Sequence, residues 1–545
     1  MGLFSASGDF GVAKKKLNAY NLWIMLFVSL GSVTYGYTAN VISATLAQPT
    51  FSAYFELDTR PNALAILSAT NGIFQTGGVI GTLMLPIFSD KFGRRGGIAT
   101  VSSFHAAQVY PLFDADDKQR QSALLCLISG AVLAGSTNIA VFLVFRFFAG
   151  AGAFMILAAV PIWMSEVVPP YLRGALVQLH AITLVIGYMC ASWLGYGIYF
   201  WKDGGNINHT WRVPFAIQCF WPLCLLCGLW WIPESPRWLI WKGRSEEARK
   251  ILMHLHDDPS DSEHAFARAE FEQISKQIAI DSTRPTSWLH IMKTGPLRKR
   301  VWISLGTTGF IQCSGILVIN NYGPFLYAGL GFDTPTQLVY GAAWLTFALG
   351  MNSIALFLND HYPRNKLMAI GVFGCMVVLS VEAAITANFT GSSNYDALRA
   401  GVAMLFLIEI PYDFCLNGMQ FIYLSEIWPM HLRAKGTSLG VAMISFMNIV
   451  WLQSAPTALT NIGWYYYLVF IIPGTCGAIT MWTMFPDTLG KPLEETARLF
   501  GDADEVASYM QEIENIHVHE HDFDKIGEKG GHGTVEIERS AHDKV

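Results

Sequence analysis

Charged residues are scarce in this chain. Asp, Glu, Lys and Arg make up 14% of its 545 residues, whereas hydrophobic residues make up 52%. A soluble domain usually contains about 25% charged residues, and the charges here are concentrated in a few loops and in the C-terminal tail. This composition excludes an ordinary soluble globular protein and is typical of a polytopic membrane protein. The net charge of −5 carries little information, because the sign of each loop matters more than the sum.

Motifs for catalysis, metal binding and phosphate binding are also lacking. The sequence has no Ser/His/Asp set and no glycine-rich phosphate loop, and its nine cysteines are scattered, nearly all within apolar segments. Cys224 and Cys227 have the spacing of half a metal site, but no second pair or nearby histidine completes it. Five histidines follow Arg498, in a tail that we interpret as solvated and largely disordered. The sequence therefore predicts a protein that is not an enzyme, holds no cofactor or metal and binds no nucleic acid.

Long apolar runs, by contrast, are abundant. A helix needs about 20 mostly apolar residues to cross a bilayer, and backbone groups in lipid must be hydrogen-bonded internally. The candidate spans are Leu22–Leu46, Ala63–Phe88, Ala123–Ser136, Ile139–Trp163, Gly174–Phe200, Val213–Ile232, Val301–Tyr327, Gln337–Leu358, Leu367–Ala387, Leu398–Ile422, Thr437–Ala458 and Trp464–Phe485. Six lie on each side of a polar, helix-compatible stretch, Pro233–Arg300.

These runs predict an all-α membrane protein with twelve transmembrane helices in two six-helix bundles and a central cytosolic helical domain. The predicted segments are an N-terminal segment 1–21, the bundles 22–232 and 301–485, the linker 233–300 and a tail 486–545. The third span is interrupted, because Val101–Gln121 contains five charged residues where the helix should continue. Two explanations stay open for Val101–Gln121: a genuine cytosolic loop, or untranslated sequence retained in the gene model.

Lysine and arginine collect in alternate loops and in the central stretch, while the remaining loops have almost none. Basic residues favour the cytosolic side, so both termini and the central stretch are predicted to be cytosolic, with the plasma membrane as the expected location. No cleavable signal is evident, since Met1–Lys16 is polar and Leu22–Leu46 is too long for one. Asn208 and Asn388 begin glycosylation sequons, and both fall in loops predicted to lie outside.

The two halves repeat their loop motifs. Ser89-Asp-Lys-Phe-Gly-Arg-Arg95 corresponds to Asn359-Asp-His-Tyr-Pro-Arg-Asn365, and Ser165-Glu-Val-Val-Pro-Pro-Tyr-Leu-Arg173 corresponds to Ser425-Glu-Ile-Trp-Pro-Met-His-Leu-Arg433. Parallel repeats of this kind build transporters whose binding site lies at mid-membrane between the halves. Opposite charges at the cytosolic helix ends predict a latch that holds the bundles together; the charges are Asp90, Arg94, Glu166, Arg173, Asp360, Arg364, Glu426 and Arg433. Solvated loop charges would explain the arginines alone, but not the repeated glutamates.

These motifs resemble the sugar porter family of the major facilitator superfamily, especially its fungal branch, over roughly Leu22–Glu495. The most specific matches are Pro233-Glu-Ser-Pro-Arg-Trp-Leu239 after the sixth span and Pro486-Asp-Thr-Leu-Gly-Lys-Pro-Leu-Glu-Glu495 after the twelfth. Arg146-Phe-Phe-Ala-Gly-Ala-Gly152 in the fourth span also fits, and we group Arg146 with the gating residues. The resemblance implies two six-helix bundles that work by alternating access on a sugar, as a monomer in the lipid bilayer.

A sugar needs amide side chains that both donate and accept, and an aromatic ring to lie against. The resemblance places Gln312, Asn448 and Tyr35 at such positions, and Phe421 where the family often has a stacking tryptophan. Substrate-binding candidates also include the weaker ones Asn417, Gln420, Gln178 and Thr38. The sequence departs from the family at Ala181, Leu317 and Ala348, where amides are expected; Gln178, Asn320, Asn321 and Asn352 lie nearby. The pocket is therefore expected to be less polar than a glucose site.

Proton-coupled members of the family carry an aspartate in the first span, where this chain has Thr38. Threonine does not titrate near neutral pH, so facilitated diffusion is the first hypothesis, with a hexose as substrate. A proton symporter acting through Glu382, Glu409 or Asp413 is the alternative, since Glu409 and Asp413 lie on one helix face and repel each other. A disaccharide or pentose carrier, a polyol or organic-acid transporter and a non-transporting sensor are the other functions considered.

Overall fold

The computed structural model describes residues 19–57, 59–92, 121–167, 173–201, 210–228, 231–255, 265–282, 284–358, 361–389, 394–489, 491 and 493–501. Arg94, Asp360, Asn208, residues 101–120 of the interrupted segment and most of the C-terminal tail lie outside these ranges. Of Asp90 and Arg173 only the backbone is described. Within the described ranges the regular structure is entirely helical.

The first half contains the helices Ala19–Val28, Leu30–Leu46, Pro49–Tyr54, Ala63–Phe92, Gln121–Gly135, Ile139–Val167, Arg173–Tyr199, Arg212–Gln218 and Phe220–Gly228. The polar stretch contains Pro236–Trp241, Ser245–Leu255, Ala265–Ser282 and Trp288–Lys293. The second half contains Gly295–Gln312, Ile316–Gly329, Thr334–Leu358, Arg364–Phe389, Tyr395–Leu407, Glu409–Tyr412, the π-helical turn Asp413–Asn417, Met419–Glu426, the 3-10 turn Met430–Leu432, Arg433–Asn461 and Tyr465–Met484. A separate unit, residues 490–545, contributes the helix Leu493–Phe500.

We number the membrane spans in chain order. They are span 1 (Tyr20–Leu46), span 2 (Ala63–Ser89), span 3 (Leu125–Gly135), span 4 (Ile139–Met164), span 5 (Gln178–Tyr199), span 6 (Arg212–Gly228), span 7 (Gly295–Gly329), span 8 (Thr334–Leu356), span 9 (Arg364–Phe389), span 10 (Asp396–Glu426), span 11 (Arg433–Asn461) and span 12 (Tyr465–Met484). Among the described residues, ten of these are long and apolar enough to cross a membrane, while spans 3 and 6 are shorter apolar helices. We call the side where span 1 begins the inner side and the side where it ends the outer side.

Four of the described spans are divided: span 1 divides at Ser29, and in the other three a proline or glycine explains the break. Span 6 divides at Cys219, and Pro222 then occupies the first turn of the new helix, where its missing N–H is not needed. Span 7 divides at Gly315, whose φ of 72° lies in the left-handed region that glycine adopts without strain. Span 10 contains Pro411 followed by the π-helical turn Asp413–Asn417, and such turns occur often at functional sites. Residues beside the breaks in spans 7 and 10 line one cavity, among them Gln312, Ile316, Asp413 and Asn417.

Several pairs of spans join the two halves, and three of these pairs have the most extensive contacts. Span 2 packs on span 11, span 5 packs on span 8, and the outer part of span 7 packs on span 1. Within the first half, span 1 packs closely on span 5, and a side chain at Gly36 would overlap the backbone of Leu184. Small residues at such crossings let membrane helices approach closely.

The polar stretch forms short helices that contact the inner ends of the spans. Ser235 caps the first of them, accepting a hydrogen bond from the Trp238 backbone N–H at 3.4 Å. The Asn21 side chain donates to the Leu255 carbonyl at 2.8 Å, which ties the helix Ser245–Leu255 to the start of span 1. Lys435, at the start of span 11, donates to the Thr286 carbonyl. The stretch therefore contacts both halves on the inner side.

Candidate functional site

A cavity lies between the two halves, near the middle of the spans. About 540 Å³ of space not filled by atoms, open solvent included, lies between its lining residues. Spans 1, 4 and 5 line it from the first half, and spans 7, 8, 10 and 11 line it from the second. The lining residues are Tyr35, Leu157, Leu184, Val185, Tyr188, Gln312, Ile316, Leu317, Asn320, Trp344, Leu345, Ala348, Glu409, Tyr412, Asp413, Asn417, Gln420, Phe421 and Ile444.

Five of the eight predicted substrate residues line this cavity: Tyr35, Gln312, Asn417, Gln420 and Phe421. Gln312 ends the first part of span 7, and Phe421 follows the π-helical turn of span 10, so the two breaks position both side chains. The side-chain oxygens of Gln312 and Gln420 are buried and have no donor among the described residues. An amide oxygen in this state can accept a hydrogen bond from a ligand hydroxyl.

The other three predicted substrate residues lie outside the lining. Thr38 is fully buried on span 1, and its backbone carbonyl accepts a 3.4 Å hydrogen bond from Arg146. Asn448 is 1% exposed on span 11, and neither polar atom of its side chain has a partner in the described part of the chain. Gln178 instead joins the two halves on the inner side of the cavity, through a hydrogen bond to Asn352. The substrate roles of these three residues stay predictions.

The departures from the family pattern remove polar groups from the cavity wall. Leu317 and Ala348 line the cavity as apolar residues, and Ala181 is fully buried. Asn320 does line the cavity, whereas Asn352 binds Gln178. The geometry therefore agrees with the expectation of a less polar wall on these sides.

Contacts between the halves close the inner side. The Gln178 side chain donates to the Asn352 side-chain oxygen at 2.7 Å, which links span 5 to span 8. Two residues further along span 5, the ring of His180 meets the ring of Phe421 edge-on at 5.2 Å between centroids. His180 also shares a 2.6 Å hydrogen bond with the Ser32 hydroxyl on span 1.

The outer side is closed by a second set of contacts. The Ser43 hydroxyl on span 1 donates to the Asn320 carbonyl on span 7 at 2.8 Å. Trp193 on span 5 donates its indole N–H to the Thr346 hydroxyl on span 8 at 3.0 Å. The cavity therefore has contacts between the halves on both its inner and its outer side.

Two acidic side chains line the cavity from span 10. Glu409 and Asp413 are each 2% exposed, and their carboxyl groups are in hydrogen-bonding contact. The Asn417 side chain donates to Asp413 Oδ1 at 2.9 Å, and the Asn352 side chain donates to the same oxygen at 3.4 Å. No lysine, arginine or histidine within the described ranges forms an ion pair with either acid. A pair of buried carboxyl groups therefore faces the candidate site.

Among the described contacts, several charged residues at the inner ends pair within one half. Arg364 and Glu426 form an ion pair at 3.5 Å, and the Thr488 hydroxyl donates to Glu426 at 2.6 Å. The Arg364 backbone N–H donates to Asp487 at 2.9 Å, so spans 9, 10 and 12 are joined within the second half. In the first half, Glu166 accepts a 2.6 Å hydrogen bond from Ser235, the serine of the polar stretch's opening motif.

The predicted latch between the bundles stays a prediction, since Asp90, Arg94, Arg173 and Asp360 lack described side chains. Arg433 is 6% exposed at the start of span 11. Arg146 lies far from the inner ends: its guanidinium sits 4.4 Å from the centre of the Phe74 ring and has no carboxylate within 4.0 Å in the described part. Its gating role is likewise untested.

Of the two predicted glycosylation sites, Asn388 is exposed near the outer end of span 9, and Asn208 is not described.

Sequence reasoning missed three residues at this site. His180, Tyr188 and Tyr412 lie at the cavity or its inner edge. A histidine inside an apolar span is costly unless it has a function or a partner, and this rule would have identified His180. The two tyrosines carry no comparable signal, because tyrosine is common in membrane helices.

The sequence resembles a family model described as "Sugar (and other) transporter", which matches residues 24–500. The chain is 26% identical over 522 residues to a high-affinity glucose transporter of Kluyveromyces lactis, covering 92% of this chain and 89% of that protein. It is 27% identical over 488 residues to a quinate permease of Neurospora africana, with 87% of each chain covered. An MFS-type transporter, criB of Aspergillus cristatus, is 26% identical over 479 residues, covering 88% of this chain and 92% of that protein.

The fold is also similar to that of solved transporters. The structure of XylE, a proton:xylose symporter of the major facilitator superfamily bound to 6-bromo-6-deoxy-D-glucose, matches with a TM-score of 0.74 at 23% identity. The match covers 89% of this chain and 100% of that chain. The predicted twelve-helix major facilitator fold is thereby confirmed. The chain belongs to the sugar porter family of the major facilitator superfamily, whose members are multi-pass membrane transporters and not enzymes.

Proposed function

We propose that this protein carries a neutral polyhydroxylated molecule, a hexose first of all, across the membrane by alternating access. The observation that carries this proposal is the chemistry of the central cavity. Its polar lining consists of amides, tyrosines and carboxyl groups, and no lysine, arginine or histidine is among the lining residues. Amides and tyrosines both donate and accept hydrogen bonds, which suits hydroxyl groups, and the ring of Phe421 offers an apolar surface for a sugar face.

The same chemistry argues against an anionic substrate such as quinate, the substrate named for one relative. A carboxylate entering this cavity would approach Glu409 and Asp413 without a cation to offset the repulsion. An organic acid therefore fits the cavity less well than a sugar or polyol. Gln312, Gln420 and Asn417 are our proposed hydroxyl-binding residues, and Tyr35 and Phe421 complete the pocket.

Closure on both sides supports alternating access as the mechanism. The inner contacts between Gln178 and Asn352 and the outer contact between Ser43 and Asn320 join different spans. One set can break while the other holds, so the cavity can face one side at a time. The lysine and arginine distribution supports cytosolic termini, and we propose the plasma membrane as the location.

Two coupling modes follow from different residues. Thr38, in place of the family's first-span aspartate, favours facilitated diffusion. The buried pair of Glu409 and Asp413 favours proton-coupled transport, because it supplies titratable groups at the cavity wall.

Uptake of radiolabelled substrates in a transport-deficient cell, at pH 5.5 and pH 7.5, tests the proposal. We expect the cells to take up labelled hexose. An excess of unlabelled hexose should reduce this uptake, whereas an excess of unlabelled quinate should leave it unchanged. The control is Gly350→Ala, since a side chain there meets open space. Uptake of quinate without uptake of any hexose, pentose, disaccharide or polyol would contradict the proposed substrate class.

A further inference from the structure

We propose that Glu409 and Asp413 together form a proton-binding site that couples proton movement to transport, in place of a titratable group in span 1. This inference rests on the proposed function, because it assigns a driving ion to the same cavity. The site lies in the second half, on the broken span 10, whereas the first-span position is occupied by Thr38.

The first step of the argument is the contact between the two carboxyl groups. Both side chains are 2% exposed and lie within hydrogen-bonding contact of each other. Asp413 Oδ2 is buried, and no N–H or O–H group of the described residues donates to it. Two carboxylates have only acceptor atoms, so a hydrogen bond between them requires a proton on one of them. A bound proton supplies the donor that this oxygen lacks.

The second step concerns the surroundings of the pair, which offer no compensating charge. The titratable groups that interact with it are Tyr327 from span 7, Cys375 from span 9 and Tyr412 from span 10. Tyr35 from span 1 and Tyr188 from span 5 line the same cavity. All of these are neutral at ordinary pH. Glu382 on span 9 is a further acid. Both Glu382 and Glu409 lie near Tyr327. An ionised carboxylate at this depth is costly without a partner or water.

The third step links the pair to the closing of the cavity. Asp413 Oδ1 accepts hydrogen bonds from Asn417 and from Asn352, and Asn352 in turn accepts the hydrogen bond from Gln178 that joins the halves. When the cavity is closed, the pair is away from water and holds a proton. When the inner side opens, water reaches the pair, and ionisation becomes favourable. The pair thus takes one proton from the outer solution and returns it to the inner solution, without any bond of the sugar changing.

The first experiment uses full-length protein without substrate and reads the infrared carbonyl band of protonated carboxyl groups as pH is raised. Glu382→Gln is the matched background, because it removes the other buried acid of the second half. We expect a band that titrates away in alkaline solution and that Glu409→Gln or Asp413→Asn removes or shifts. A band that is absent in this background, or unchanged in both variants, would overturn the proposal.

The second experiment uses proteoliposomes and radiolabelled D-glucose. One proton per sugar permits about tenfold accumulation for each unit of inward pH gradient, because one unit corresponds to 1.36 kcal/mol. We expect accumulation in the wild-type protein and in Glu382→Gln. Glu409→Gln and Asp413→Asn should lose accumulation, because the pair can no longer bind and release a proton, and any exchange of labelled for unlabelled sugar that remains should not respond to the pH gradient.

The outcomes separate this inference from the proposed function. Wild-type protein that exchanges D-glucose but never accumulates it is a facilitator, and the proton site is then wrong. Variants that still accumulate sugar would also refute the site. If D-glucose is not exchanged by any of the proteins, the hexose assignment fails, and the infrared experiment decides the proton site by itself. Size-exclusion profiles of each variant establish that it has folded.

Discussion

Two glycines on opposite sides of the cavity lie where the halves approach most closely. A side chain at Gly418 on span 10 would overlap the amide of Gln178, on the inner side. A side chain at Gly72 on span 2 would overlap the amide oxygen of Gln453 on span 11, on the outer side. Gly72 lies inside the helix Ala63–Phe92, where alanine is favoured over glycine. Gly418 joins the π-helical turn to Met419–Glu426 with φ −77° and ψ −35°, a backbone conformation that alanine also adopts. We therefore expect Gly418→Ala to open the inner side and Gly72→Ala to open the outer side.

The magnitude follows from the contacts that each methyl group would displace. Extra atoms in a packed interior cost about 1–3 kcal/mol. At Gly418 the displaced Gln178 also loses its 2.7 Å hydrogen bond to Asn352, which is worth about 1 kcal/mol. These costs fall only on the state in which the halves touch. A bias of roughly 1–3 kcal/mol, as at Gly72, changes the ratio of open to closed molecules by about 5- to 150-fold. The hydrogen bond lost at Gly418 adds about 1 kcal/mol, a further factor of about 5.

Distances between spin labels on the two halves measure this bias directly, in a background from which the nine cysteines are removed. One label pair belongs at the inner ends of spans 5 and 10, and the other at the outer ends of spans 2 and 11. Gly418→Ala should lengthen the inner distance alone, and Gly72→Ala the outer distance alone. Gly350→Ala, on span 8 with nothing within 4 Å of the new atom, should change neither.

Opposite results would refute this reasoning. If both variants lengthened the same distance, the assignment of the two contacts to opposite sides would be wrong. If Gly418→Ala left the inner distance unchanged, Gln178 would not be an inner contact between the halves. Combining Gly418→Ala with Gln178→Ala should shorten the inner distance again, because the overlap is removed while the hydrogen bond stays lost.

Three further expectations concern binding and stability. Gln312→Ala should raise the KM for hexose exchange by up to about tenfold, because one hydrogen bond to the sugar is worth about 0.5–1.5 kcal/mol; an unchanged KM would remove Gln312 from the site. Glu426→Gln should lower the free energy of unfolding by about 1.5–3 kcal/mol, because the charged interactions of Glu426 with Arg364 and Thr488 are lost. The measurement is a lower Tm. Asp396→Asn, which removes a charge from an exposed ion pair, should leave Tm unchanged. His431 lies between spans 10 and 11, where burial and then nearby cations lower its pKa to about 4. Because the unfolded chain binds this proton near pH 6.5, stability should fall as pH drops from about 6.5 to 4, and His431→Gln should reduce that loss in pH-dependent unfolding.

The spans were accessible to sequence reasoning because lipid imposes a simple rule on each segment. Every span must be apolar over its length and helical throughout, so hydrophobicity alone predicted their number and order. The short third span also agreed, since its apolar helix begins only at Leu125. Gly315 and Pro411 are visible as helix-breaking residues, but the sequence does not indicate that both breaks face one cavity.

The site was predictable only where a single side chain carries the signal. Gln312 and Phe421 were named through the family resemblance, and both line the cavity. Gln178 was named as a replacement for a missing amide, yet its hydrogen bond goes to Asn352 in the other half. This hydrogen bond depends on how spans 5 and 8 pack against each other, and no local sequence pattern indicates how two distant spans pack. The same holds for the contact between His180 and Phe421.

The charges inside the membrane are segregated between the two halves, and this bears on how coupling can work. In the first half, Arg146 is covered by the ring of Phe74 and the carbonyl of Thr38. In the second half, Glu409 and Asp413 face the cavity without a cation among the described residues. A carrier couples to protons when its protonation state decides whether the cavity can close. An acid meets this requirement wherever it lines the cavity and bonds to a contact between the halves, so a carrier with threonine in span 1 can still depend on the proton.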